Sequence, residues 1–220
     1  MQLSIITINY NNLAGLKKTA ESVLAQTWRD FEWILIDGGS TDGSKEYISN
    51  LNSRSAGTDA CLSKNPNANI TYWCSEPDKE VYNAMNKGIA KANGEYLNFM
   101  NSGDCFYESS TLERVFEEKL TSDLVYGDWI RRYPDHDKLM EAPQKGLPMM
   151  LYFYNVCHQA MFIKAEILKM KGYDERFKVV ADWKRWQDMA LESDTFQYVP
   201  YTICIFEAGT GLSENYSLQH

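Results

Sequence analysis

Short apolar segments and helical patterns alternate along the first half of the chain. Leu3 to Ile8, Phe31 to Ile36 and Ile70 to Cys74 are apolar and rich in β-branched or aromatic residues, which is typical of buried strands. Between them, apolar residues recur at helical spacing from Leu13 to about Gln26 and from Ser44 to Leu51. This order predicts right-handed crossovers and a parallel sheet.

The next helix and strand lead into a polar turn. Helical spacing continues from Glu80 to Ala92, and Gly94 is expected to end that helix. Tyr96 to Met100 is typical of a buried strand, and the turn-forming cluster Asn101 to Asp104 follows it. Because ligands bind beyond the carboxyl ends of strands in open α/β sheets, Asp104 is a candidate site residue. Taken alone, it is better explained as an ordinary turn residue, because such turns are common.

Patterns in the second half are shorter and less regular. The polar stretch Asn52 to Asn69 is expected to be a surface excursion, and Arg131 to Met150 suits a hairpin and loop. Further predicted helices span Leu112 to Leu120, Ala165 to Met170 and Asp182 to Leu191. Further predicted strands span Leu124 to Trp129, Cys157 to Ile163, Phe196 to Val199 and Tyr201 to Phe206. Gly209 to Ser213 is expected to open a flexible C-terminal tail, either a lid or a frayed end.

The composition allows one domain with a sizeable core. The 220 residues are 44% hydrophobic and 13% aromatic, and no repeat or composition break indicates a second domain. The formal net charge of -8 argues against a general nucleic-acid binder, which normally carries a basic patch. Five cysteines without CxxC spacing fit a reducing cytoplasm better than a disulfide framework or a zinc site. Since no secretory signal or membrane-length apolar run is visible, we expect a cytoplasmic protein.

The usual phosphate-binding motifs are missing. The chain has no GxxxxGK(S/T) motif, no GxGxxG after the first predicted strand, and no glycine-rich basic loop of the kind that nucleotidyltransferases use. Instead, three predicted strands end in polar side chains. A base could stack on Tyr10, Asp37 could accept a hydrogen bond from base or ribose, and Asp104 could hold a metal on the phosphates. Together, these positions favour a nucleotide site over separate turn residues.

Blocks along nearly the whole chain resemble one enzyme family. The sequence is similar to inverting nucleotide-sugar glycosyltransferases of the large GT-A family 2, which build bacterial polysaccharides. The matching blocks are Ser4 to Asn11, Ile36 to Ser44, Ser75 to Gly88 and Gly94 to Asp104, with weaker matches at His158 to Phe162, Gly172 to Phe177 and Val180 to Trp183. The resemblance implies a three-layer α/β/α GT-A fold, with a mostly parallel central sheet and a small acceptor-side hairpin and helix region. It implies one domain, with a donor half at residues 1–104 and an acceptor half and tail at residues 105–220.

The resemblance also implies roles on the donor side. Tyr10 and Asp37 would contact the nucleotide base, usually uracil in this family. Asn86 and Lys87 lie in the block that lines the donor site, and Ser102 lies in the last of the four main blocks. We therefore expect all five residues to bind a nucleotide sugar.

A metal site and a catalytic base are implied as well. Asp104 matches the last acid of the family's metal motif and would hold Mg²⁺ or Mn²⁺. Because Gly103 stands where many relatives carry a second acid, we expect weak metal binding unless the donor diphosphate helps. Asp182 matches the catalytic base, which would take the acceptor hydroxyl's proton. Its alternative role is to cap the helix that begins there.

The acceptor side is less clearly marked. His158 could line an acceptor pocket, or it could be a structural histidine hydrogen-bonded near the core. Trp183 could stack on a sugar, but it stands at helical spacing with Trp186, so we expect at least one of the two in the core. Glu80 and Asn83 replace the Gly and Asp that family members often have, which leaves the exact donor contacts open.

The sequence thus predicts an inverting glycosyltransferase. We expect a UDP-linked donor and a saccharide or lipid-linked acceptor in surface polysaccharide or glycolipid assembly, with peripheral contact at the inner face of the membrane as an open alternative. A catalytically degenerate nucleotide-sugar binding module or partner subunit is the second hypothesis. A sugar nucleotidyltransferase is a distant third. The donor sugar, the linkage and the oligomeric state stay undetermined.

Overall fold

The protein, seen in a computed structural model, is described over residues 1–54, 70–151, 155–192 and 194–208. Its first half follows the predicted alternation of strands and helices. The elements are β1 (Leu3–Asn9), α1 (Leu13–Leu24), β2 (Phe31–Asp37), α2 (Ser44–Arg54), β3 (Ile70–Ser75), α3 (Val81–Lys91) and β4 (Tyr96–Phe99). The strand and helix patterns of the sequence therefore predicted the order of elements in this half correctly.

The second half contains shorter elements. They are β5 (Cys105–Phe106), α4 (Thr111–Glu117), β6 (Leu124–Arg132), β7 (Asp137–Met140), α5 (Leu147–Met150), a 3-10 helix (His158–Ala160), β8 (Met161–Lys164), α6 (Ala165–Met170), α7 (Ala181–Leu191) and β9 (Phe196–Glu207). The predicted hairpin is confirmed, because β6 and β7 pair antiparallel with Trp129 opposite Met140. Most of the expected surface excursion and the Gly209 to Ser213 tail lie outside the described residues.

All the described strands join one sheet. Its order is β3-β2-β1-β4-β8-β6-β9-β5, and β7 pairs with β6 beside this path. The first four strands run parallel, as predicted. Beyond β4 the sheet is mixed: β8 is antiparallel to both β4 and β6, whereas β6 and β9 run parallel. The predicted α/β fold is confirmed, and its parallel part lies within residues 1–104.

The strand order reverses at β1. The chain leaves β1 towards β2 and β3 on one side and returns to its other side at β4. Right-handed crossovers then place α1 and α2 on one face and α3 on the other, where α3 packs on β1, β2 and α6. A ligand crevice is expected at such a reversal, beyond the carboxyl ends of the strands. That edge holds Tyr10, Asp37 and the turn after β4.

The core lies on both faces of the parallel strands. Every residue of β2 is buried, including Trp33, whose indole N–H donates to Thr7 Oγ1 at 3.0 Å. This internal partner allows a large polar aromatic side chain to sit in the core. Among the described residues, none of the helices combines the length and hydropathy needed to cross a bilayer.

One strand replaces the two predicted near the C-terminus. The two predicted strands left out Pro200, but β9 runs continuously from Phe196 to Glu207. The ladder with β6 shifts register between Tyr126 and Asp128, which face Tyr198 and Thr202 respectively. A proline is tolerated at such an irregularity because the ladder needs no N–H donor there.

The strand predicted from Cys157 to Ile163 was also wrong in its first half. Residues His158–Ala160 form a 3-10 helix, and β8 starts only at Met161. The amide of Asn98, buried in β4, donates to the carbonyl oxygens of Gln159 and Met161, both at 2.9 Å. This tertiary contact holds the turn that brings His158 and Gln159 towards the candidate site.

Candidate functional site

Asp37 ends β2 with its carboxylate enclosed by donors. Oδ1 accepts hydrogen bonds from Asn9 Nδ2 at 2.7 Å and Ser40 Oγ at 2.6 Å. Oδ2 accepts from the Ser40 amide at 3.0 Å and from Ser75 Oγ at 2.7 Å. Burial raises the pKa of Asp37, but these hydrogen bonds outweigh it and leave the pKa below its ordinary value. Asp37 therefore ties together the ends of β1, β2 and β3, with no exposed surface of its own.

Tyr10 is exposed beside a glycine ledge, formed by Gly38 and Gly39. The residue is 69% exposed, although most aromatic residues of the described chain are buried or partly buried. A Cβ added at Gly38 would lie 3.1 Å from Tyr10 Cδ2 and 3.2 Å from a carboxylate oxygen of Asp78. Gly39 has φ +80, and a Cβ there would lie 3.3 Å from the Pro77 nitrogen. An exposed aromatic face beside open backbone is suited to stacking a planar base.

Lys87 and Asn86 are neighbours on α3 but face different parts of the site. The Lys87 ammonium pairs with Glu76 at 2.8 Å and with Asp78. Burial lowers the pKa of Lys87, but the two carboxylates outweigh it and raise the pKa above its ordinary value. Asn86 instead donates to the Tyr173 carbonyl oxygen and accepts from the Tyr173 amide, both at 2.9 Å. Lys87 thus pairs with Asp78, which lies beside Gly38 together with Tyr10. Asn86 instead holds the backbone of Tyr173 in its loop.

Asp104 turns into the protein. Oδ1 accepts from the Glu207 amide at 3.0 Å, and Oδ2 accepts from Gln159 Nε2. Burial raises the pKa of Asp104 to about 6, because these two hydrogen bonds compensate for only part of the lost hydration. The carboxylate is therefore held in the interior between β9 and the 3-10 helix.

The turn before Asp104 carries unpaired polar atoms. Asn101 Oδ1 and Ser102 Oγ are buried and have no hydrogen-bond partner within the described part of the chain. Such atoms could accept a partner from a ligand. A metal ion is a poorer fit, since Asp104 faces inward and the described residues contain no group of three or more His, Cys, Asp or Glu that could hold one. The residues present do not form a metal site by themselves.

Asp182 lies in the first turn of α7, where Val180 takes the N-cap position. The interpretation of Asp182 as the cap is therefore wrong. Its Oδ1 accepts from the Tyr82 hydroxyl and from the Trp183 amide, both at 2.8 Å. Its Oδ2 lies 3.0 Å from His158 Nδ1. A carboxylate offers about four acceptor positions, so one position on Oδ2 is left for another group.

His158 stands between Asp182 and the turn after β4. While Nδ1 faces Asp182, Nε2 lies 2.9 Å from Asn101 Nδ2. Its side chain is 18% exposed. Trp183 is partly buried and donates its indole N–H to the Leu151 carbonyl oxygen, while Trp186 is fully buried. The expectation that one of the two tryptophans belongs to the core is confirmed by Trp186.

A cleft opens on the Tyr82 side of Asp182. Burial raises the pKa of Tyr82 well above its ordinary value, so the phenol keeps its proton and remains a donor. The cleft has a volume of about 490 Å³. Its lining includes Lys79, Tyr82, Asn83, Glu175, Arg176 and Phe177. This is room for a sugar-sized ligand with several polar contacts.

The structure gathers the predicted residues into two groups. Tyr10, Asp37 and Lys87 lie around the ends of β1, β2 and β3, and Asp182 and His158 lie together beyond the turn after β4. Sequence reasoning missed the residues that contact these two groups and Asp104, namely Asn9, Ser40, Ser75, Tyr82, Asn101, Gln159 and the Glu207 amide. Most stand in or beside the matching blocks, which was an available signal. The Glu207 amide gave none, because any backbone could supply it.

Comparison with known proteins identifies relatives over most of the chain. A family model described as Glycosyl transferase family 2 matches residues 4–180. A PGL/p-HBAD biosynthesis glycosyltransferase of Mycobacterium bovis is 35% identical, over 82% of this chain and 66% of its own length. An uncharacterised glycosyltransferase of Mycobacterium tuberculosis is 34% identical, over 82% of this chain and 65% of its own length. The chain thus spans about two thirds of the length of these relatives.

Solved structures share the fold. Staphylococcus aureus TarS 1-349 in complex with UDP-GlcNAc has a TM-score of 0.72 at 15% identity, covering 98% of this chain and 61% of that one. The Pyrobaculum calidifontis mannosyltransferase PcManGT, in complex with GDP-Man and Mn²⁺, has a TM-score of 0.70 at 16% identity, covering 98% of this chain and 59% of that one. The GT-A arrangement expected from the sequence is confirmed.

Proposed function

The chain belongs to glycosyl transferase family 2, and we propose that it transfers a sugar from a nucleotide-sugar donor to an acceptor hydroxyl, with inversion at the anomeric carbon. The observation that carries this proposal is the Asp182 carboxylate. Three hydrogen-bond contacts hold it, and one acceptor position on Oδ2 stays open. A fixed carboxylate with one open position suits a general base.

The chemical step needs no covalent enzyme intermediate. Asp182 Oδ2 takes the proton of the acceptor hydroxyl as that oxygen attacks the anomeric carbon. The new carbon–oxygen bond forms on the face opposite the nucleotide, while the bond to the diphosphate oxygen breaks and the diphosphate leaves with its electron pair. Tyr82 and the Trp183 amide hold Oδ1, which leaves Oδ2 for the acceptor.

On the donor side, we propose a UDP-linked sugar. The exposed ring of Tyr10 would stack on the base, and Asp37 would support that contact through the backbone it fixes. Lys87 would exchange one of its carboxylate partners for the diphosphate. Ser102 and Asn86 complete the proposed donor side. TarS with UDP-GlcNAc supports a donor of this class.

The proposal also includes a metal ion and a class of acceptor. Mg²⁺ or Mn²⁺ would bind with the donor diphosphate, as Mn²⁺ accompanies GDP-Man in PcManGT, and no step is assigned to it because Asp104 faces inward. The acceptor would be a saccharide or a lipid-linked molecule in surface polysaccharide or glycolipid assembly, with Trp183 near it. The names of the mycobacterial relatives, which refer to PGL/p-HBAD biosynthesis, support this class. The reaction would take place in the cytoplasm or against the inner face of the membrane.

Replacing Asp182 with Asn tests the proposal. We expect the Asp182→Asn variant to bind UDP with an affinity within about twofold of the parent chain and to lose transfer by about 1,000-fold, the loss of a general base. Calorimetry with UDP and a radiolabelled UDP-sugar transfer assay would measure the two effects. A Glu166→Gln variant, altered in the first turn of α6, serves as the control. Equal loss of UDP binding and transfer would refute the base assignment.

A non-catalytic nucleotide-sugar binding module is the second candidate, favoured by the inward Asp104 carboxylate. Binding and turnover assays on the unmodified protein distinguish the two functions. Binding of UDP without hydrolysis or transfer of any UDP-sugar, at any metal concentration, would favour the binding module. Slow hydrolysis of a UDP-sugar that the Asp182→Asn change abolishes would favour the enzyme.

A further inference from the structure

Three side chains form a continuous path from the donor-side turn to the proposed base. Asn101 Nδ2 lies 2.9 Å from His158 Nε2, and His158 Nδ1 lies 3.0 Å from Asp182 Oδ2. The three residues come from three different parts of the chain: the turn after β4, the 3-10 helix before β8, and the first turn of α7. Local sequence therefore does not explain why they meet.

The contacts assign a tautomer to His158. Asn101 Nδ2 is a donor, so Nε2 opposite it must accept and carries no proton in the neutral ring. The proton is then on Nδ1, from which it is donated to Asp182 Oδ2. Asp104, a further acidic group close to this path among the described residues, lies in the same turn as Asn101 but accepts from Gln159 and the Glu207 amide.

We infer that His158 is a positioning residue for the reaction proposed above. Its Nδ1–H orients Asp182 Oδ2 towards the acceptor, and its Nε2 contacts Asn101 in the donor-side turn. This inference rests on the proposed function. Within the described part of the chain, the other hydrogen bonds to Asp182 reach Oδ1 alone, from Tyr82 and the Trp183 amide. A carboxylate held at one oxygen can still rotate out of line, whereas a donor on each oxygen fixes its plane.

The consequence is a link between the two halves of the site. Asn101 Oδ1 and Ser102 Oγ, which have no partner among the described residues, lie at the donor-side end of the path, where a hydroxyl of a bound sugar would donate to them. Any shift of the turn there moves Asn101 and, with it, the ring that orients Asp182. Donor binding and orientation of the base are thereby joined through one imidazole.

A pair of variants separates this role from mere packing. In Asn the side-chain nitrogen occupies the place of Nδ1, and in Gln it occupies the place of Nε2. We expect His158→Asn to keep kcat within about threefold, and His158→Gln to lower kcat by about 10-fold to 100-fold, the usual effect of losing a residue that orients a functional group. The Kd for UDP should stay within twofold in both. Equal loss of kcat in both variants, or parent-like kcat in both, would overturn the inference.

A spectroscopic measurement on the unmodified protein is independent of activity. The ¹⁵N chemical shifts of the His158 ring should show the proton on Nδ1 in the neutral form, and Asn101→Leu should weaken that preference. A proton on Nε2 would overturn the inference even if transfer is observed. A failure of the proposed function would look different: the Nδ1–H signal would be present, but no transfer would be detected with any UDP-sugar.

Discussion

Two buried carboxylates near the ends of parallel strands have opposite electrostatic environments. Asp37, after β2, receives four hydrogen bonds, and its pKa lies below the ordinary value. Asp104, after β4, receives two, and burial raises its pKa to about 6. Both carboxylates are buried, but burial costs Asp104 more hydration, and the fold supplies Asp37 with more donors.

This contrast bears on the assignment of function. A strand-end position alone made Asp37 and Asp104 equal candidates. Asp37 stabilises the folded state as a carboxylate, because the ends of three strands depend on it. Asp104 destabilises the folded state when it ionises, so stability does not explain why a carboxylate stands there. Such a loss of stability is typical of a functional residue whose hydrogen bonds are completed only by a ligand or by a conformational change.

The largest expected effect tests the Asp37 half of the comparison. Asp37→Ala would leave the Asn9 amide, the Ser40 amide and hydroxyl and the Ser75 hydroxyl without their buried acceptor. We expect a loss of about 4 kcal/mol in the free energy of unfolding, because several buried donors become unsatisfied at once. Urea unfolding would measure it. Asp30→Ala, at an exposed carboxylate, is the control and should change the free energy by under about 0.5 kcal/mol.

The next effect has the opposite sign and depends on pH. The pKa of Asp104 rises from 3.8 to about 6 on folding, so the folded state binds the proton more tightly than the unfolded state. Stability therefore falls as the pH rises from about 4 to about 6, by up to about 3 kcal/mol at 1.36 kcal/mol per pKa unit. We expect Asp104→Asn to remove this fall and to stabilise the protein at pH 8 but not at pH 4.

Urea unfolding at the two pH values would measure the Asp104→Asn effect. Gln159 can accommodate the new amide by exchanging its ends, since its Oε1 now faces the Cys157 thiol. Asp30→Asn is the matched control at an exposed carboxylate. A gain of the same size at pH 4 and pH 8 would show that the charge of Asp104 is not the cause.

The smallest effect concerns the ledge that Asp37 supports. Gly39 and Gly146 have φ values of +80 and +73, but an added Cβ meets Pro77 at 3.3 Å in the first case and open space in the second. We expect Gly146→Ala to cost about 1 kcal/mol for the backbone conformation alone, and Gly39→Ala about 2 kcal/mol. Thermal unfolding would compare the two. Equal losses would mean that the approach of Pro77 to the ledge adds nothing.

Much of the fold was predictable, because the strong elements are locally determined. β1 and β2 combine apolar, β-branched composition with almost complete burial, and the helices that follow them show clear periodicity. The weak elements failed where tertiary contacts decide. Pro200 lies in β9 at a register shift, and the 3-10 helix at His158–Ala160 is held by Asn98, which donates to the carbonyl oxygens of Gln159 and Met161. No short window of sequence contains those partners.

The candidate site divides in the same way. The sequence by itself determined which residue types stand at the strand ends, and its resemblance to a family pointed to Asp182 as a base. It could not determine how many donors each carboxylate meets, because those donors come from residues as far apart as Asn9, Gln159 and the Glu207 amide. Only the tertiary structure decided that Asp37 is satisfied, that Asp104 is held at a raised pKa, and that His158 stands against Asp182. Hydration lost on burial and hydrogen bonds gained across the fold act on the same atoms, and their balance exists only once the chain is folded.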